Sequence, residues 1–165
     1  MNQRKKAYRD MTALQKFLEG SFEVHPEGYS VQDILGESDS WLEQCHDYIQ
    51  WCFPLMSPSR AVPGSPYLRS ISEVNDLMTS TKVRENMTAL THRMLRFYKY
   101  TTQWLNYMDH NHLRISRIIQ SLRLICGRND AVAFLDEIMK YGLAQGDQFK
   151  VNGKSIAIWY DAAHG

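Results

Sequence analysis

The sequence predicts an all-α fold, with a single globular domain of about six helices over residues 1–165. Apolar residues recur at helical spacing along most of the chain, and 44% hydrophobic content is enough for one buried core. Only nine Gly and five Pro, together with 12% aromatic residues, indicate a folded rather than a disordered chain. Four of the prolines lie within 54–66, which predicts a Pro-rich loop there.

Helical periodicity is present in seven segments before the C-terminal stretch. The segments are 7–19, 30–35, 41–52, 70–78, 82–97, 111–126 and 130–143. Ser30-Val-Gln-Asp33 and Ser70-Ile-Ser-Glu73 have the form of capping boxes and predict two of the helix starts. Ser38 or Ser40 is expected to cap the segment that contains 41–52, which reads as one continuous helix, and Asn129 is expected to cap the last of the seven.

The C-terminal stretch fits two structures. Phe149 and Val151, followed by Asn152-Gly153 and further apolar residues, are typical of a short hairpin near 149–158. Ile156, Trp159 and Ala163 also lie at helical spacing. Because an isolated hairpin is marginal in water, the helix is favoured and the hairpin is the alternative.

Charge is strongly segregated along the chain although the formal net charge is only +1. Residues 17–59 contain eight carboxylates and no Lys or Arg, while residues 60–128 carry a net charge of +7. One interpretation is that arginines of the basic segment pair internally with the acidic segment, for instance with Asp47 or Glu43. The other is that they bind an external anion, such as nucleic acid or an acidic peptide.

Several classes of protein are excluded or disfavoured by composition. The chain lacks a run of about 18 apolar residues, so no transmembrane segment is expected. The basic start, Met1 to Lys6, is not followed by the apolar core of a signal peptide, which favours a cytoplasmic protein. The cysteines are Cys45, Cys52 and Cys126, and their spacing predicts reduced, mostly buried thiols rather than a disulfide framework.

Two blocks concentrate polar and aromatic residues. The first, Asp47 to Leu55, carries Gln50 and Trp51, which can line a ligand pocket or pack in the core. In the second, Arg114, Arg117 and Ser121 fall within a narrow arc of a helix, where guanidinium groups suit bidentate capture of carboxylate or phosphate. A comparable stripe on the preceding helix contains Lys82, Arg93 and Arg96.

No recognised motif for catalysis or metal binding is present. The chain lacks a Gly-rich phosphate loop, an H-E-x-x-H sequence and a paired-carboxylate motif. The metal-ligating types His46, His110, His112 and Cys126 are scattered, and His-x-His points in different directions on a helix. We therefore expect no catalytic residue, no metal and no cofactor, and a protein that is not an enzyme.

Four elements of the chain resemble, in order, the conserved N-terminal region of the opioid growth factor receptor family. His46-Asp-Tyr-Ile-Gln-Trp-Cys-Phe-Pro-Leu55 is similar to that family's H-x-Y-I-Q-W-L-F-P-L block. His110-Asn-His-Leu-Arg-Ile-Ser-Arg-Ile-Ile-Gln-Ser-Leu122 resembles its H-N-N-L-R-I-T-R-I-L-x-S-L block, and Ser80 to Arg84 and Leu95 to Tyr98 match shorter elements between them. The resemblance is strongest over residues 35–160.

This resemblance implies an all-helical domain and a helix in the C-terminal stretch. It also implies a receptor for an enkephalin-type, growth-regulating peptide, with nuclear or membrane association in the animal members. The chain resembles a compact, single-domain member of the microbial kind. The family pattern fixes no catalytic residues, so the resemblance implies none here.

The function predicted from these observations is that of a non-enzymatic helical binding module for a peptide, a protein or an anionic ligand. The alternative is a nucleic-acid or phosphate-binding protein that uses the basic segment 60–128. The predicted binding site lies where the two polar blocks meet. Its residues are His46, Gln50, Trp51, His110, Asn111, Arg114 and Arg117.

Overall fold

The computed structural model describes residues 7–165, and all the regular structure in that range is helical. The nine α-helices are α1 Ala13–Leu18, α2 Val31–Leu35, α3 Asp39–Gln44, α4 Ile49–Cys52, α5 Ile71–Met78, α6 Thr81–Tyr100, α7 Asn111–Ile125, α8 Arg128–Ala144 and α9 Gly153–His164. The all-α prediction is confirmed. The number of helices exceeds about six because the 41–52 segment forms two helices, α3 and α4, and because several short segments are helices of their own. The basic start of the chain lies outside the described residues.

Helix α7 is the centre of the fold. It packs against α8 and α9 on one side and against α5 on another, while α6 packs on α8, α1 and α2. Three isoleucines of α7, Ile115, Ile118 and Ile119, are completely buried, which fits the apolar face predicted from their spacing. No helix within residues 7–165 has the length and apolar character needed to cross a bilayer.

Serine side chains cap the short helices as the sequence predicts, with one difference. At α2 the capping box is complete, since the Ser30 hydroxyl accepts from the Asp33 amide at 3.2 Å and the Asp33 carboxylate accepts from the Ser30 amide at 2.9 Å. At α5 the Ser70 hydroxyl accepts from the Glu73 amide at 3.1 Å. The Glu73 carboxylate, however, accepts from the Arg69 amide at 2.8 Å rather than from Ser70.

The α2 capping box should make part of the stability depend on acidic pH. Hydrogen bonds from the Ser30 amide and hydroxyl lower the pKa of Asp33 below its ordinary 3.8. A carboxyl with a lowered folded-state pKa contributes stability above its unfolded pKa, and that contribution is lost as pH falls through the folded pKa. We therefore expect Asp33→Asn to flatten the acid limb of a stability–pH curve measured by urea unfolding. An unchanged slope below pH 3.8 would contradict this.

The single helix predicted over the 41–52 stripe is wrong. Ser38 does cap a helix, accepting from the Trp41 amide at 3.1 Å, but α3 ends at Gln44 and α4 begins at Ile49. Cys45 is extended, with φ −79° and ψ 133°. Helical periodicity continues across the break because both short helices turn apolar residues toward the same core. The carbonyls that lose their helical partners there are bonded by a side chain from α7, described below.

The predicted Asn129 cap is also wrong. Helix α8 begins at Arg128, directly after Gly127, whose φ of +110° ends α7 in a conformation that other residues rarely adopt. The Cys126 and Gly127 amides both donate to the Leu122 carbonyl, at 2.7 and 2.9 Å. The glycine turn therefore starts the next helix two residues earlier than the polar side chain suggests.

The C-terminal stretch is helical, and the alternative hairpin near 149–158 does not form. Asn152 serves as the cap of α9, accepting from the Ser155 amide at 2.8 Å, instead of entering a two-residue turn. Just before α9, the Lys150 amide donates to the Leu105 carbonyl and the Asn152 amide to the Tyr107 carbonyl, at 2.8 and 3.2 Å. These bonds hold the start of α9 against the segment that leads into α7.

Candidate functional site

Several of the predicted site residues meet where α7 begins and where the chain breaks between α3 and α4. Arg114 is the central one. Its side chain extends from α7 across this break and is almost completely buried. His46 lies in the break itself, and His110 and Asn111 lie at the start of α7.

The Arg114 guanidinium bonds to backbone carbonyls of the acidic segment. It donates to the Leu42 carbonyl through Nη1 and to the Cys45 carbonyl through Nη2, both at 2.7 Å. It also lies over the Tyr48 ring, 5.5 Å from the centroid, and Nη1 is 3.4 Å from the Tyr48 hydroxyl. Instead of the expected ion pair with Asp47 or Glu43, Arg114 makes charge-assisted hydrogen bonds to carbonyls that have no helical partner because the helix is interrupted there.

Arg117 makes a similar contact one turn further along α7. Its Nε donates to the Phe53 carbonyl at 2.9 Å, at the end of α4. Burial lowers the pKa of the Arg117 guanidinium to about 10, so the group stays charged at neutral pH. Its Nη2 is buried and has no hydrogen-bond partner among the described residues. Arg117 thus holds the end of α4 against α7.

Arg93, on α6, forms the ion pair that the charge segregation predicts. Its Nη2 lies 2.8 Å from the Asp39 carboxylate and donates to the Glu37 carbonyl at 2.8 Å. Lys82 and Arg96, the other members of the predicted stripe, are exposed. The acidic and basic segments therefore do match internally, but through the Arg93–Asp39 ion pair, in which Arg93 is buried and Asp39 is partly exposed, and through carbonyl contacts of Arg114 and Arg117.

Asn111 organises a second group of polar side chains at the surface end of this site. It is 1% exposed, and its Nδ2 donates to both Glu43 oxygens, at 3.2 and 2.9 Å, and to Asp109 Oδ1 at 2.8 Å. Its Oδ1 accepts from the hydroxyl of Tyr98, whose pKa burial raises well above 10. Asn111 is thus fully used in positioning the two carboxylates.

His110 closes the group toward solvent. Its Nε2 lies 3.1 Å from Glu43 Oε1, and its Nδ1 lies 3.9 Å from Asp109 Oδ2. We call Glu43, Asp109 and His110 the carboxylate–histidine cluster. His46 is next to it, with its ring centroid 5.9 Å from that of His110, and its Nδ1 lies 3.3 Å from Arg114 Nη2. Because arginine is always a donor, His46 Nδ1 is the acceptor in this contact.

Gln50 and Trp51 point into the interior from α4. Trp51 is buried between the rings of Phe17 and His25, with centroid distances of 5.4 and 5.3 Å. Gln50 is also buried, and its Oε1 has no hydrogen-bond partner within the described residues. Of the seven predicted residues, His46 and His110 present an exposed ring, and the others are buried or half-buried.

Three exposed apolar residues that adjoin His110 along the chain were not among the predicted site residues. Tyr107, Met108 and Leu113 are 65%, 77% and 71% exposed, although residues of this kind are normally buried. We call His46, Tyr107, Met108, His110 and Leu113 the α7 start surface. The exposure of Leu113 could have been predicted from helical spacing, because Leu113 lies on the face of α7 opposite to the buried isoleucines.

A separate surface groove of about 260 Å³ lies between α6, α7 and α8. Its floor contains Leu95, Leu122 and Phe134, and its rim includes His92 and Glu137. None of the seven predicted site residues lines it.

The three cysteines are free and poorly suited to act as nucleophiles. Burial raises the pKa of Cys45 and of Cys126 to about 11, and it raises that of the fully buried Cys52 further. All three thiols are therefore protonated at neutral pH. Cys45 donates to the Asp47 carboxylate at 3.0 Å within the break between α3 and α4.

Comparison with known proteins identifies relatives of part of the chain. The opioid growth factor receptor of Mus musculus is 33% identical over 118 residues, which cover 59% of this chain and 18% of the relative. The Rattus norvegicus and Homo sapiens receptors are 33% and 32% identical over the same length and share of this chain, and 20% and 17% of their own lengths are covered. The chain thus spans about a fifth of these curated relatives. No solved structure matches it.

The family model of the opioid growth factor receptor conserved region matches residues 6–103, more than half of the chain. The matched residues contain α1 to α6 and the His46 to Leu55 block, and the His110 to Leu122 block lies beyond them. The resemblance stated from the sequence is confirmed. The chain belongs to the opioid growth factor receptor family, whose conserved region it carries.

Proposed function

We propose that this chain is a non-enzymatic binding module that takes a peptide or protein ligand on the α7 start surface. The observation that carries the proposal is the exposure of Tyr107, Met108 and Leu113 beside two accessible imidazoles. Exposed apolar side chains next to polar groups are typical of protein interaction sites, and tyrosine and methionine are enriched in them.

The buried residues of the site support this surface without contacting a ligand themselves. Arg114 bonds α7 to the segment between α3 and α4, which contains His46. Asn111 holds the carboxylates that contact His110. A rigid platform of this kind lowers the entropy lost when a ligand binds. We infer that Arg114 and Asn111 are positioning residues and that the exposed members of the surface make the contacts.

The names of the relatives suggest the ligand to test first. They are opioid growth factor receptors, and the family resemblance implies an enkephalin-type peptide. A short peptide with aromatic and apolar side chains could place these on Tyr107, Met108 and Leu113, and its backbone groups could bond to the His46 and His110 rings. The match covers only about a fifth of each relative, so the activity in the relatives' names does not by itself assign peptide binding to this chain. Peptide binding by this chain is therefore our proposal.

The test is a calorimetric titration of the purified chain with an unlabelled enkephalin-type pentapeptide. We expect saturable binding that Leu113→Asp weakens by roughly 10–100-fold, the range for loss of a central apolar contact. The matched control is Leu143→Asp, on α8, because Leu143 is similarly exposed at 66% and should leave binding unchanged. Both variants should unfold at the wild-type temperature.

Two results would contradict the proposal. Absence of saturable peptide binding by the wild-type chain would remove the peptide ligand. Equal affinity of the Leu113→Asp and wild-type chains would remove the α7 start surface as the binding site.

The nucleic-acid alternative is weakened by the positions of three arginines, while Lys82, Arg96 and other basic residues of 60–128 are exposed. Arg93 and Arg114 are buried and Arg117 is largely so, and all three bond to protein groups, so they contribute no free guanidinium to a phosphate-binding surface in 60–128. We also propose a cytoplasmic location. The supporting observation is that Cys45, Cys52 and Cys126 are all unpaired thiols, as is usual in a reducing compartment.

A further inference from the structure

We propose that the carboxylate–histidine cluster, Glu43, Asp109 and His110, is a binding site for one divalent transition-metal ion. Each residue offers one ligand atom, and these atoms all lie within 4.8 Å of one another. Ligand atoms around a four-coordinate ion at about 2.1 Å are roughly 3.4 Å apart. The 3.1 Å between His110 Nε2 and Glu43 Oε1 is close to that spacing. The longer separations, up to 4.8 Å, would have to shorten when an ion binds, and the exposed His110 side chain has room to move.

The charges of the cluster favour a cation. Glu43 and Asp109 are only 19% and 13% exposed at their side chains, and the ion-pair partner found for both among the described residues is His110. The Arg114 guanidinium donates to the Leu42 and Cys45 carbonyls rather than to either carboxylate. Two half-buried carboxylates beside one imidazole form a site whose negative charge a divalent ion would compensate.

The carboxylates are also held as metal ligands usually are. The buried Asn111 amide bonds both Glu43 and Asp109, which is the kind of outer support that fixes ligand orientation in known metal sites. The backbone amide and the side-chain Nδ2 of Asn111 both donate to Asp109 Oδ1. The other carboxylate oxygen, Oδ2, is the one that faces His110. None of these contacts requires the peptide proposal, so the metal site stands independently of it.

His46 is adjacent but is not a ligand in this arrangement. Its Nδ1 accepts a hydrogen bond from Arg114, so a neutral His46 carries its proton on Nε2 and offers no free lone pair to a metal. With three protein ligands, the ion would keep at least one position open toward solvent, on the side where His110 is exposed. The open position would adjoin the α7 start surface.

The ligand set indicates which ions bind. Carboxylates alone suit Mg²⁺, Ca²⁺ and Mn²⁺, whereas an imidazole favours ions such as Zn²⁺. One imidazole with two carboxylates therefore predicts binding of Zn²⁺ more tightly than Mn²⁺, in the usual order of divalent affinities, and little binding of Mg²⁺.

The experiment is a calorimetric titration of chelator-treated protein with ZnCl₂, MnCl₂ and MgCl₂ in separate runs, in the absence of peptide. We expect one equivalent of Zn²⁺ to bind, with affinity reduced roughly tenfold or more in Glu43→Gln and in His110→Gln. His110 is exposed, so its variant should fold normally, and circular dichroism checks both. The matched control is His164→Gln, an exposed histidine on α9 that should leave binding unchanged.

Cobalt substitution distinguishes this site from zinc binding by the cysteines. Co²⁺ bound to oxygen and nitrogen ligands lacks the intense near-ultraviolet absorption of cobalt–thiolate bonds, so we expect none. The proposal is overturned by a thiolate band, by failure of the wild-type chain to bind Zn²⁺, or by wild-type affinity in His110→Gln.

Discussion

Replacing Arg114 with methionine is expected to lower the free energy of unfolding by about 3–5 kcal/mol, because two charge-assisted hydrogen bonds to backbone carbonyls are lost, each contributing about 1.5–3 kcal/mol. Methionine fills a similar volume but leaves the Cys45 carbonyl without its 2.7 Å donor, while the Leu42 carbonyl keeps the Tyr48 hydroxyl, at 2.8 Å, as its remaining donor. Each buried polar group left unbonded costs about 1–3 kcal/mol. The loss is a large fraction of the roughly 5–15 kcal/mol that stabilises a typical domain.

Urea unfolding measures this loss of stability, and two further variants serve as comparisons. Arg96→Met, at an exposed arginine of α6, should change the free energy of unfolding by no more than about 0.5 kcal/mol. Arg114→Lys should be nearly as destabilising as methionine, because an ammonium group lacks the planar fork that reaches both carbonyls. A loss below about 1 kcal/mol for Arg114→Met would contradict the assigned role of this contact.

The Arg114 contact also explains why the break between α3 and α4 is invisible in the sequence. Periodicity and capping are local properties, and the stripe from Trp41 to Cys52 fits one helix by both criteria. The structure opens that helix at Cys45 because a donor from α7 bonds the freed carbonyls and because the Tyr48 hydroxyl donates to the Leu42 carbonyl at 2.8 Å. No window of neighbouring residues contains this information.

Features set by neighbouring residues were predicted well. The caps at Ser30, Ser38 and Ser70 were found because a hydroxyl three residues before a free amide suffices to make them. The long helices α6 and α7 were found because each presents a continuous apolar face to the core. At the C-terminus, Asn152-Gly153 fits both a turn and a helix start, and packing of α9 on α7 and α8 selects the helix.

The candidate site was predicted in part, because only some of its residues are neighbours along the chain. His110, Asn111 and Arg114 are close together because they share the start of α7, and the proximity of His46 follows the matching of the acidic and basic segments. The inward direction of Trp51 depends on Phe17 and His25, which lie in other parts of the chain. The pairing of Glu43 with Asp109 through Asn111 likewise exists only in the folded protein.

Replacing Trp159 with alanine is expected to be as damaging as loss of Arg114, at about 3–5 kcal/mol, the usual range for a large aromatic residue removed from a core. Trp159 is completely buried and joins α9 to α7: its indole nitrogen donates to the His112 carbonyl at 3.0 Å, and its ring lies 5.7 Å from the His112 ring. Alanine would leave a cavity and would remove the indole hydrogen bond to the His112 carbonyl.

Two substitutions separate these contributions in the same urea-unfolding measurement. Trp159→Phe keeps an aromatic ring but removes the indole donor, so the loss should be smaller than for alanine, with about 0.5–1.5 kcal/mol from the lost hydrogen bond to the His112 carbonyl. Tyr160→Ala, at the next residue, should cost less than about 1 kcal/mol. Tyr160 is 41% exposed, and its ring stacks on that of His164, itself an exposed residue. If Trp159→Ala were no more destabilising than Tyr160→Ala, α9 would not be an integral part of the core. A loss of about 3–5 kcal/mol for Trp159→Ala would instead mean that α7 and α9 unfold together. The C-terminal helix would then belong to the same cooperative unit as α7 and the α7 start surface.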